Sequence, residues 1–314
     1  MNIIDRNFYA LTDELKSLTR QQIFKNIKSS FDKISEQTKL SLEDYFNRFN
    51  YWGKLDLNSQ NYEQLMNKAA SFSDHIKNYE WLYNKLKDYR SKKLLFAILN
   101  NWYKYDFITL SSSHESNFPH YFDIDLINSC DNEVFVDLGV YNGDTIIDFI
   151  RTYGKNSYNT IYGYEITKEV FEKAKNRLSY YNNIILKNKA ILDEEKIVYL
   201  SENESDSSAN SIGKNGDKTI SSTTLDNDIK EKVTIIKMDI EGSEQKALLG
   251  CKKHIINDHP KLLLSVYHNN EDIWKIPKMI EEIFPGYNFY LRSHGGSIYP
   301  TKITLIAIYD DLKL

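Results

Sequence analysis

Apolar residues in the first third of the chain recur at the spacing of amphipathic helices. Between Leu11 and Ile34 they are mostly three to five positions apart, which aligns them along one face of a helix. Similar patterns predict a second helix around residues 76–89 and a third over SKKLLFAILNNWYKY, residues 91–105. The tryptophans of this region are expected to be buried, with a binding surface as the alternative; they are Trp52, Trp81 and Trp102.

The pattern changes near residue 115. The segment SSSHESNFPH, residues 111–120, is polar and contains a proline, which is typical of a linker. Beyond it, predicted strands alternate with predicted helices. The strands are VFVDLG (134–139), TIYGYE (160–165), IILKNKAI (184–191), TIIKMDI (234–240), KLLLSV (261–266), NFYLRSH (288–294) and KITLIAIY (302–309). The helices are TIIDFIRTYG (145–154), KEVFEKAKNRLSYY (168–181), SEQKALLG (243–250) and IPKMIEEIF (276–284).

This alternation predicts a doubly wound α/β sheet. Its last two strands face each other across Gly295 and Gly296 and are expected to form an antiparallel pair. We therefore predict two domains, a helical N-terminal region over residues 1–115 and an α/β domain over residues 116–314. The polar segment 201–222 interrupts the order of elements, and it is either a mobile lid over a ligand or a disordered surface loop.

Composition excludes several classes of protein. The 314 residues include 40 Lys and Arg against 44 Asp and Glu, a net charge of −4, so no basic excess exists to neutralise a nucleic-acid polymer. The two cysteines, Cys130 and Cys251, lack CxxC partners, which argues against a disulfide framework or a structural zinc site. No apolar run approaches the length of a membrane span. We expect a soluble cytoplasmic protein.

A ligand site is predicted where the first strand of the sheet ends. VFVDLGVYNGDT, residues 134–145, combines a strand, a loop with Gly139 and Gly143, and the start of a helix. In open parallel sheets, ligands bind beyond the carboxyl ends of the strands. The helix that begins near Asp144 or Thr145 is expected to direct free N–H groups towards an anionic group.

The charged residues favour one cofactor over others. The glycine spacing is G-x-x-x-G, so neither a P-loop nor the G-x-G-x-x-G dinucleotide pattern is present. Asp137 precedes Gly139 by two positions, where a carboxylate would repel a pyrophosphate but suit a cation. Glu165 ends the second strand, where an acid can accept hydrogen bonds from both ribose hydroxyls. This combination favours S-adenosylmethionine over NAD.

These segments resemble a known family. VFVDLGVYNGDT, GYE, KNKAI, TTLDN (223–227), IIKMDIEGSEQKALLG and LLLSVYHNNEDIWKIPKMI occur in the order typical of the FkbM family of methyltransferases. The similarity covers roughly residues 117–309, and DIEGSE and SVYH are its most specific parts. A looser similarity around YRSKKLLFAILNNW suggests that the preceding helical region belongs to one branch of the family.

The resemblance implies a fold, a reaction and a set of site residues. The fold is a class I methyltransferase, Rossmann-like, with a seven-stranded sheet and an antiparallel last strand. The reaction is transfer of a methyl group from S-adenosylmethionine, usually to a hydroxyl of a sugar or natural product. The implied cofactor-binding residues are Asp137, Gly139, Tyr141, Asn142, Gly143, Asp144, Thr145, Glu165, Ala190, Ile191 and Asp239.

Candidate catalytic groups follow the fourth and fifth strands of the α/β region. Asp239 ends TIIKMDI, and His268 follows KLLLSV, so both are expected at the same edge of the sheet. Histidine titrates near neutrality and suits a general base, with Asp239 sharing or orienting that role. We further predict acceptor contacts from Glu241, Tyr267, Arg292 and His294. Asp239 and Glu241 could ligate Mg²⁺ or Mn²⁺, but two neighbouring acids are weak evidence, and no metal site is predicted.

The predicted function is O-methylation of a sugar. The acceptor is expected to be a nucleotide-activated sugar or a component of a bacterial surface polysaccharide such as a capsule. The alternatives are an NAD-dependent oxidoreductase and a non-catalytic cofactor-binding protein whose N-terminal helices recruit partners. Those helices could also support a homodimer.

Overall fold

The chain consists of two compact units. The structure, a computed structural model, describes residues 1–49, 52–128, 131–203, 209–213 and 215–310. The first unit contains Met1–Glu115, Val266–Lys278 and Asn288–Leu305, and the second contains Ser116–Ser265, Met279–Tyr287 and Ile306–Leu314. The predicted domains, 1–115 and 116–314, remain a prediction.

The N-terminal part of the first unit is helical. Its helices are α1 Ile3–Lys16, α2 Arg20–Lys33, α3 Glu36–Phe49, α4 Glu63–Lys85, α5 Tyr89–Lys104 and α6 Phe107–Ser111. The apolar stripe that we interpreted as one helix belongs to both α1 and α2. The break has a local cause: the Thr19 side chain accepts from the backbone N–H of Gln22, and the Gln22 side chain accepts from that of Thr19. This capping box starts a new helix at Arg20.

Aromatic side chains fill the core of the first unit. The rings of Phe8 and Tyr83 stack with centroids 3.7 Å apart, and those of Trp52 and Trp102 meet edge to face at 4.9 Å. Trp52 and Trp102 are both buried, which confirms the expectation of burial for these two residues.

Strands and helices alternate through the rest of the chain. The strands are β1 Glu133–Leu138, β2 Tyr158–Tyr164, β3 Ile184–Lys187, β4 Ala190–Ile191, β5 Lys196–Ser201, β6 Ser211–Gly213, β7 Lys218–Thr223, β8 Ile235–Met238, β9 Lys261–Ser265, β10 Tyr287–Ser293 and β11 Ile303–Tyr309. The helices are α7 Asp144–Tyr153, α8 Lys168–Leu178, α9 Leu225–Asp228, α10 Glu244–Gly250, α11 Lys252–Asp258 and α12 Asp272–Ile283.

The larger sheet has seven strands in the order β10-β11-β9-β8-β1-β2-β3. Within this order, β9, β8, β1, β2 and β3 run parallel to one another. All residues of β1 and β8 are buried, as expected for central strands that are covered on both faces. The predicted α/β fold, a seven-stranded sheet with an antiparallel last strand, is confirmed.

A second, four-stranded sheet has the order β4-β7-β5-β6. The run IILKNKAI, predicted as one strand, contributes β3 to the large sheet and β4 to this one. Between them, the Asn188 amide donates to the carbonyl oxygens of Glu165 and Ile166, and the chain leaves the large sheet. Five buried side chains form the apolar core of the small sheet: Ala190, Leu192, Val198, Leu200 and Ile220.

The polar segment 201–222 is largely part of this small sheet. It contributes the end of β5, all of β6 and most of β7, and Asn203 and Asn210 are joined by a hydrogen bond of 2.8 Å. The expectation of a disordered loop is therefore wrong for these strands. Residues 204–208 and 214 of the predicted lid lie outside the described residues.

Two further expectations from the sequence concern the cysteines and the absence of a membrane span. Cys251 is a free thiol and is buried, whereas Cys130 lies outside the described residues. Among the helices in the described ranges, none has both the length and the apolar character needed to cross a membrane.

Candidate functional site

A cleft that is partly open to solvent lies at the carboxyl ends of β1, β2 and β8 in the second unit. Seven residues predicted from the sequence line it: Gly139, Tyr141, Glu165, Ala190, Ile191, Asp239 and Glu241. They come from four separate segments of the chain.

Gly139 permits the close approach of two chain segments that line the cleft. Its φ is +82°, and a Cβ atom at this position would lie 2.0 Å from the carbonyl oxygen of Asp239. The backbone N–H of Asp239 in turn donates to the carbonyl of Leu138 at 3.0 Å. Glycine is therefore required where β1 and β8 end side by side.

The loop after Gly139 leads into α7 and is held by hydrogen bonds among its own residues and with Arg177 of α8. The Asn142 side-chain oxygen accepts from the backbone N–H of Asp144 at 3.1 Å and from Arg177 at 2.6 Å. The backbone N–H of Thr145 donates to the Asp144 carboxylate at 2.9 Å. The expectation of free N–H groups at this helix start is wrong for Asp144 and Thr145. Together with Gly143, whose φ is +84°, these residues shape the turn but do not line the cleft.

Glu165 is a fixed acceptor in the wall of the cleft. One carboxylate oxygen accepts from the backbone N–H of Tyr141 at 3.0 Å, and the other accepts from that of Thr167 at 2.8 Å. Burial raises the pKa of this carboxyl, while the backbone donors act in the opposite direction. Each oxygen keeps a second lone pair that can accept from a ligand hydroxyl.

Asp137 does not line the cleft. Its carboxylate is fully buried and lies 2.9 Å from Nζ of Lys237, which also donates to the carbonyl oxygen of Gly139 at 2.7 Å. Burial raises the pKa of Asp137 to about 6, and the neighbouring ammonium group opposes this effect. The predicted role of Asp137 in cofactor binding remains a prediction; its direct contacts support the loop that carries Gly139.

Asp239 follows β8, lines the cleft and accepts a hydrogen bond of 2.7 Å from the hydroxyl of Tyr121. Glu241, also in the cleft wall, has a φ of +56° and precedes Gly242, whose φ is +90°. The carboxylate of Glu244 closes this turn by accepting from the backbone N–H of Ile240 at 2.9 Å. Of the three acids in DIEGSE, two therefore face the cleft, and the third stabilises the turn and begins α10.

Four predicted residues belong to the first unit. His268 is buried, and its ring lies 4.3 Å from that of Tyr267, whose carbonyl accepts from the indole of Trp52. The backbone N–H of His294 donates to the carbonyl of Lys302. The catalytic role of His268 and the acceptor contacts of Tyr267 and His294 remain predictions.

Arg292 makes structural contacts within the first unit, and its predicted acceptor contact remains a prediction. Its guanidinium is buried and lies 2.6 Å from the carboxylate of Asp88, the N-cap residue of α5. It also donates to the hydroxyl of Ser91 at 3.0 Å and to the carbonyl of Leu291 at 2.8 Å. These bonds join β10 to the start of α5.

Sequence reasoning missed several residues around the cleft. Lys189, Asn210 and Ile212 line it. The last two come from the polar segment 201–222, for which a lid over a ligand was one of two interpretations. Lys237 could have been noticed from the sequence, because it is a charged residue within the apolar run IIKM. It pairs in register with Asp137 on the neighbouring strand.

Comparison with known proteins identifies a family. The model of the methyltransferase FkbM domain matches residues 137–295. The methyltransferase FkbM from Methylobacillus flagellatus KT superposes with a TM-score of 0.65 at 25% identity, covering 76% of this chain and 60% of that one. The chain thus spans less than two thirds of that relative.

Weaker structural likenesses extend to other methyltransferases. An rRNA methylase from Streptococcus thermophilus aligns at 15% identity with a TM-score of 0.37, covering 59% of this chain and 92% of that one. Fibrillarin from Aeropyrum pernix, bound to S-adenosyl-L-methionine, aligns at 12% identity with a TM-score of 0.36. The alignment covers 57% of this chain and 67% of that one. No curated protein matches the chain. These two structural likenesses are too weak to support a conclusion about function.

Proposed function

The chain belongs to the FkbM methyltransferase family, and from that premise we propose that it transfers a methyl group from S-adenosylmethionine to a hydroxyl of a sugar. The observation that carries the proposal is the cleft itself. Seven residues predicted from family motifs and strand ends line this one cavity beyond β1, β2 and β8. The proposed acceptor is a nucleotide-activated sugar or a component of a surface polysaccharide.

The residues of the cleft fit the cofactor. Glu165 has a free lone pair on each oxygen for the ribose hydroxyls, because one acceptor site of each is taken by a backbone N–H. Ala190 and Ile191 supply a small apolar surface for the adenine ring. Gly139 leaves room at the junction of β1 and β8. When bound, S-adenosylmethionine supplies a methyl group made electrophilic by the adjacent sulfonium.

A general base would assist the acceptor hydroxyl. A sugar hydroxyl is a weak nucleophile, and a positioned base typically accelerates such a step about 10²–10⁴-fold. We assign this role to His268, with Asp239 orienting the acceptor or sharing the proton. Glu241, which lines the cleft, is the proposed hydrogen-bond acceptor for a further sugar hydroxyl. Tyr267 and His294 complete the proposed acceptor contacts.

No metal ion is included in the proposed mechanism. Asp239 and Glu241 both line the cleft, and carboxylates of this kind can bind Mg²⁺ or Mn²⁺. Activity that survives exhaustive chelation agrees with the proposal. Activity that is lost on chelation and restored by Mg²⁺ would require a metal-assisted step in its place.

The first test is cofactor binding measured by calorimetry on the full chain. We expect saturable binding of S-adenosylmethionine and no binding of NAD. Binding of NAD alone would replace the proposal by an oxidoreductase.

The second test is transfer of tritiated methyl from S-adenosylmethionine to a panel of nucleotide sugars. Methylation of at least one member, with the label recovered on an oxygen of the sugar, supports the proposal. Tight cofactor binding without transfer to any nucleotide sugar or polysaccharide would instead indicate a non-catalytic protein. The expected cytoplasmic location and homodimer are separate proposals, and light scattering of the purified chain tests the dimer.

A further inference from the structure

The hydroxyl of Tyr121 makes two hydrogen bonds at the edge of the cleft. It donates to one carboxylate oxygen of Asp239 at 2.7 Å and lies 3.1 Å from the hydroxyl of Ser265. Asp239 lines the cleft, but Tyr121 does not. The tyrosine therefore binds the candidate catalytic carboxylate without itself being part of the cleft wall.

Tyr121 is held in place from several directions. Its backbone has a φ of +76°, an unfavourable conformation for a bulky residue. The His120 ring stacks on the Tyr121 ring at 3.8 Å, and Nζ of Lys237 lies 5.4 Å from its centroid. The next residue, Phe122, is fully buried against Phe149. Strained backbone of this kind persists only where the surrounding contacts fix it, and it is common at functional sites.

The hydroxyl of Tyr121 acts as the donor in the bond to Asp239. Burial, together with the negative charge of Asp239, holds the pKa of Tyr121 well above its ordinary value, so the phenol keeps its proton. A hydrogen bond from a neutral donor to a carboxylate is short and strong. It restricts the rotation of the Asp239 side chain and occupies one of its two oxygens.

We propose that Tyr121 is a positioning residue, whose hydroxyl fixes the Asp239 carboxylate in the orientation that methyl transfer requires. This inference rests on the proposed function, in which Asp239 orients the acceptor or shares its proton. Tyr121 therefore affects the rate of transfer through Asp239 and has no direct part in binding the cofactor.

The experiment compares two tyrosine-to-phenylalanine variants of the full chain. Tyr121→Phe removes the donor to Asp239. Tyr162→Phe is the matched control, because its hydroxyl donates to another carboxylate, that of Glu231, at 2.6 Å and does not border the cleft. The assay is transfer of tritiated methyl to the nucleotide sugar that gives the highest wild-type rate, with calorimetry for cofactor affinity.

We expect Tyr121→Phe to lower kcat about 10- to 100-fold, the effect of losing one hydrogen bond to a charged group. The KM for the cofactor and its Kd should change less than about threefold, because the cofactor contacts remain. Tyr162→Phe should retain wild-type kcat. In an Asp239→Asn background, Tyr121→Phe should cause little further loss, because residues that act as a unit are not additive.

Distinct results overturn the inference and the function on which it rests. Wild-type kcat in Tyr121→Phe, or an equal loss in Tyr162→Phe, overturns the positioning role while the methyltransferase assignment stands. Fully additive losses in the double variant also overturn it. A wild-type chain that transfers no methyl group refutes the proposed function, and the inference fails with it.

Discussion

Nζ of Lys237 lies 2.9 Å from the carboxylate of Asp137, and both side chains are almost completely buried, with exposures of 2% and 0%. The two residues face each other in register on the parallel strands β8 and β1. The ammonium group also binds the carbonyl of Gly139. One buried cation thus links the ends of two central strands to the loop that begins at Gly139.

Replacing Lys237 by Met should destabilise the protein and remove one hydrogen bond that holds the loop at Gly139. Asp137 would be left as a buried charge without its counter-ion, which typically costs about 3–5 kcal/mol in the free energy of unfolding. Urea denaturation measures this loss. Lys196→Met is the control, because its ion pair with Glu194 is largely exposed to solvent. The control should change the free energy of unfolding little.

The defect of Lys237→Met should also depend on pH. Burial already raises the pKa of Asp137 to about 6, well above the value of an unfolded aspartate. The unfolded chain therefore releases this proton at lower pH than the folded chain, and the cost of the charged form grows as pH rises. We expect the loss to be largest above pH 6 and smaller near pH 4. A loss that is independent of pH would contradict this explanation.

Glu165→Gln should weaken cofactor binding with little effect on the fold. The amide group of glutamine cannot accept at both ends, so one of the backbone donors from Tyr141 or Thr167 loses its partner. Loss of a charged acceptor for a ribose hydroxyl is expected to raise the Kd for S-adenosylmethionine about 10- to 100-fold. Calorimetry measures the Kd. Glu172→Gln, at an exposed position of α8, should leave the Kd unchanged.

Gly139→Ala and Gly154→Ala separate steric clash from backbone strain. Both glycines have positive φ, +82° and +92°, but an added Cβ meets the backbone of Asp239 only at Gly139 and has open space at Gly154. Gly154→Ala should therefore cost about 1–3 kcal/mol of unfolding free energy, from backbone strain alone. Gly139→Ala should cost clearly more and abolish cofactor binding. Equal costs in thermal or urea unfolding would show that the clash is relieved.

Lys68→Met should stabilise the protein by roughly 1–3 kcal/mol, as often happens when a buried charge is replaced by an apolar side chain. Lys68 is 1% exposed, and its Nζ lies 3.4 Å from the hydroxyl of Tyr105 and 5.3 Å from the ring centroid of Tyr299. The gain is measured by urea unfolding near pH 6. Lys77→Met, at an exposed position of the same helix, is the control and should change stability little.

The same lysine gives stability a defined pH dependence. Burial lowers the pKa of Lys68 from 10.5 to about 7. Between these values the unfolded chain binds one more proton than the folded chain, so the contribution of Lys68 to stability becomes more favourable as pH rises from 7 to 10.5. The increase in unfolding free energy between pH 7 and 10.5 that Lys68 causes should be absent in Lys68→Met. Parallel pH profiles for the variant and the wild type would show that Lys68 is charged in both states.

His268→Ala should leave cofactor affinity within about twofold of wild type and lower kcat at least about 100-fold, as loss of a general base requires. Methyl transfer and calorimetry measure the two effects on the same preparation. His75→Ala, which removes a partly exposed histidine that pairs with Glu271, should retain normal turnover. Normal turnover in His268→Ala would rule out an essential base at this position.

The sequence predicted the candidate site better than it predicted the small sheet. Gly139, Glu165 and Asp239 were identifiable because each follows a strongly apolar strand, and strand ends of a parallel sheet share one edge. Strand β6 and most of β7 were missed because the polar residues of segment 201–222 resemble a loop. Strand β5 was also missed, although buried and exposed residues alternate along it. Asn210, which immediately precedes β6, lines the cleft. The interpretation of segment 201–222 as a lid placed the segment near a ligand but identified no single residue.

The sequence by itself determined the α/β fold, the family and the edge of the large sheet at which the cleft lies. These follow from hydrophobic periodicity and from motifs whose residues are neighbours along the chain. The tertiary structure alone decided which charged groups meet. Lys237 with Asp137, Tyr121 with Asp239 and Arg292 with Asp88 are each separated by 100 or more residues. Their partners are set by strand register and side-chain packing, which no pattern along the chain records.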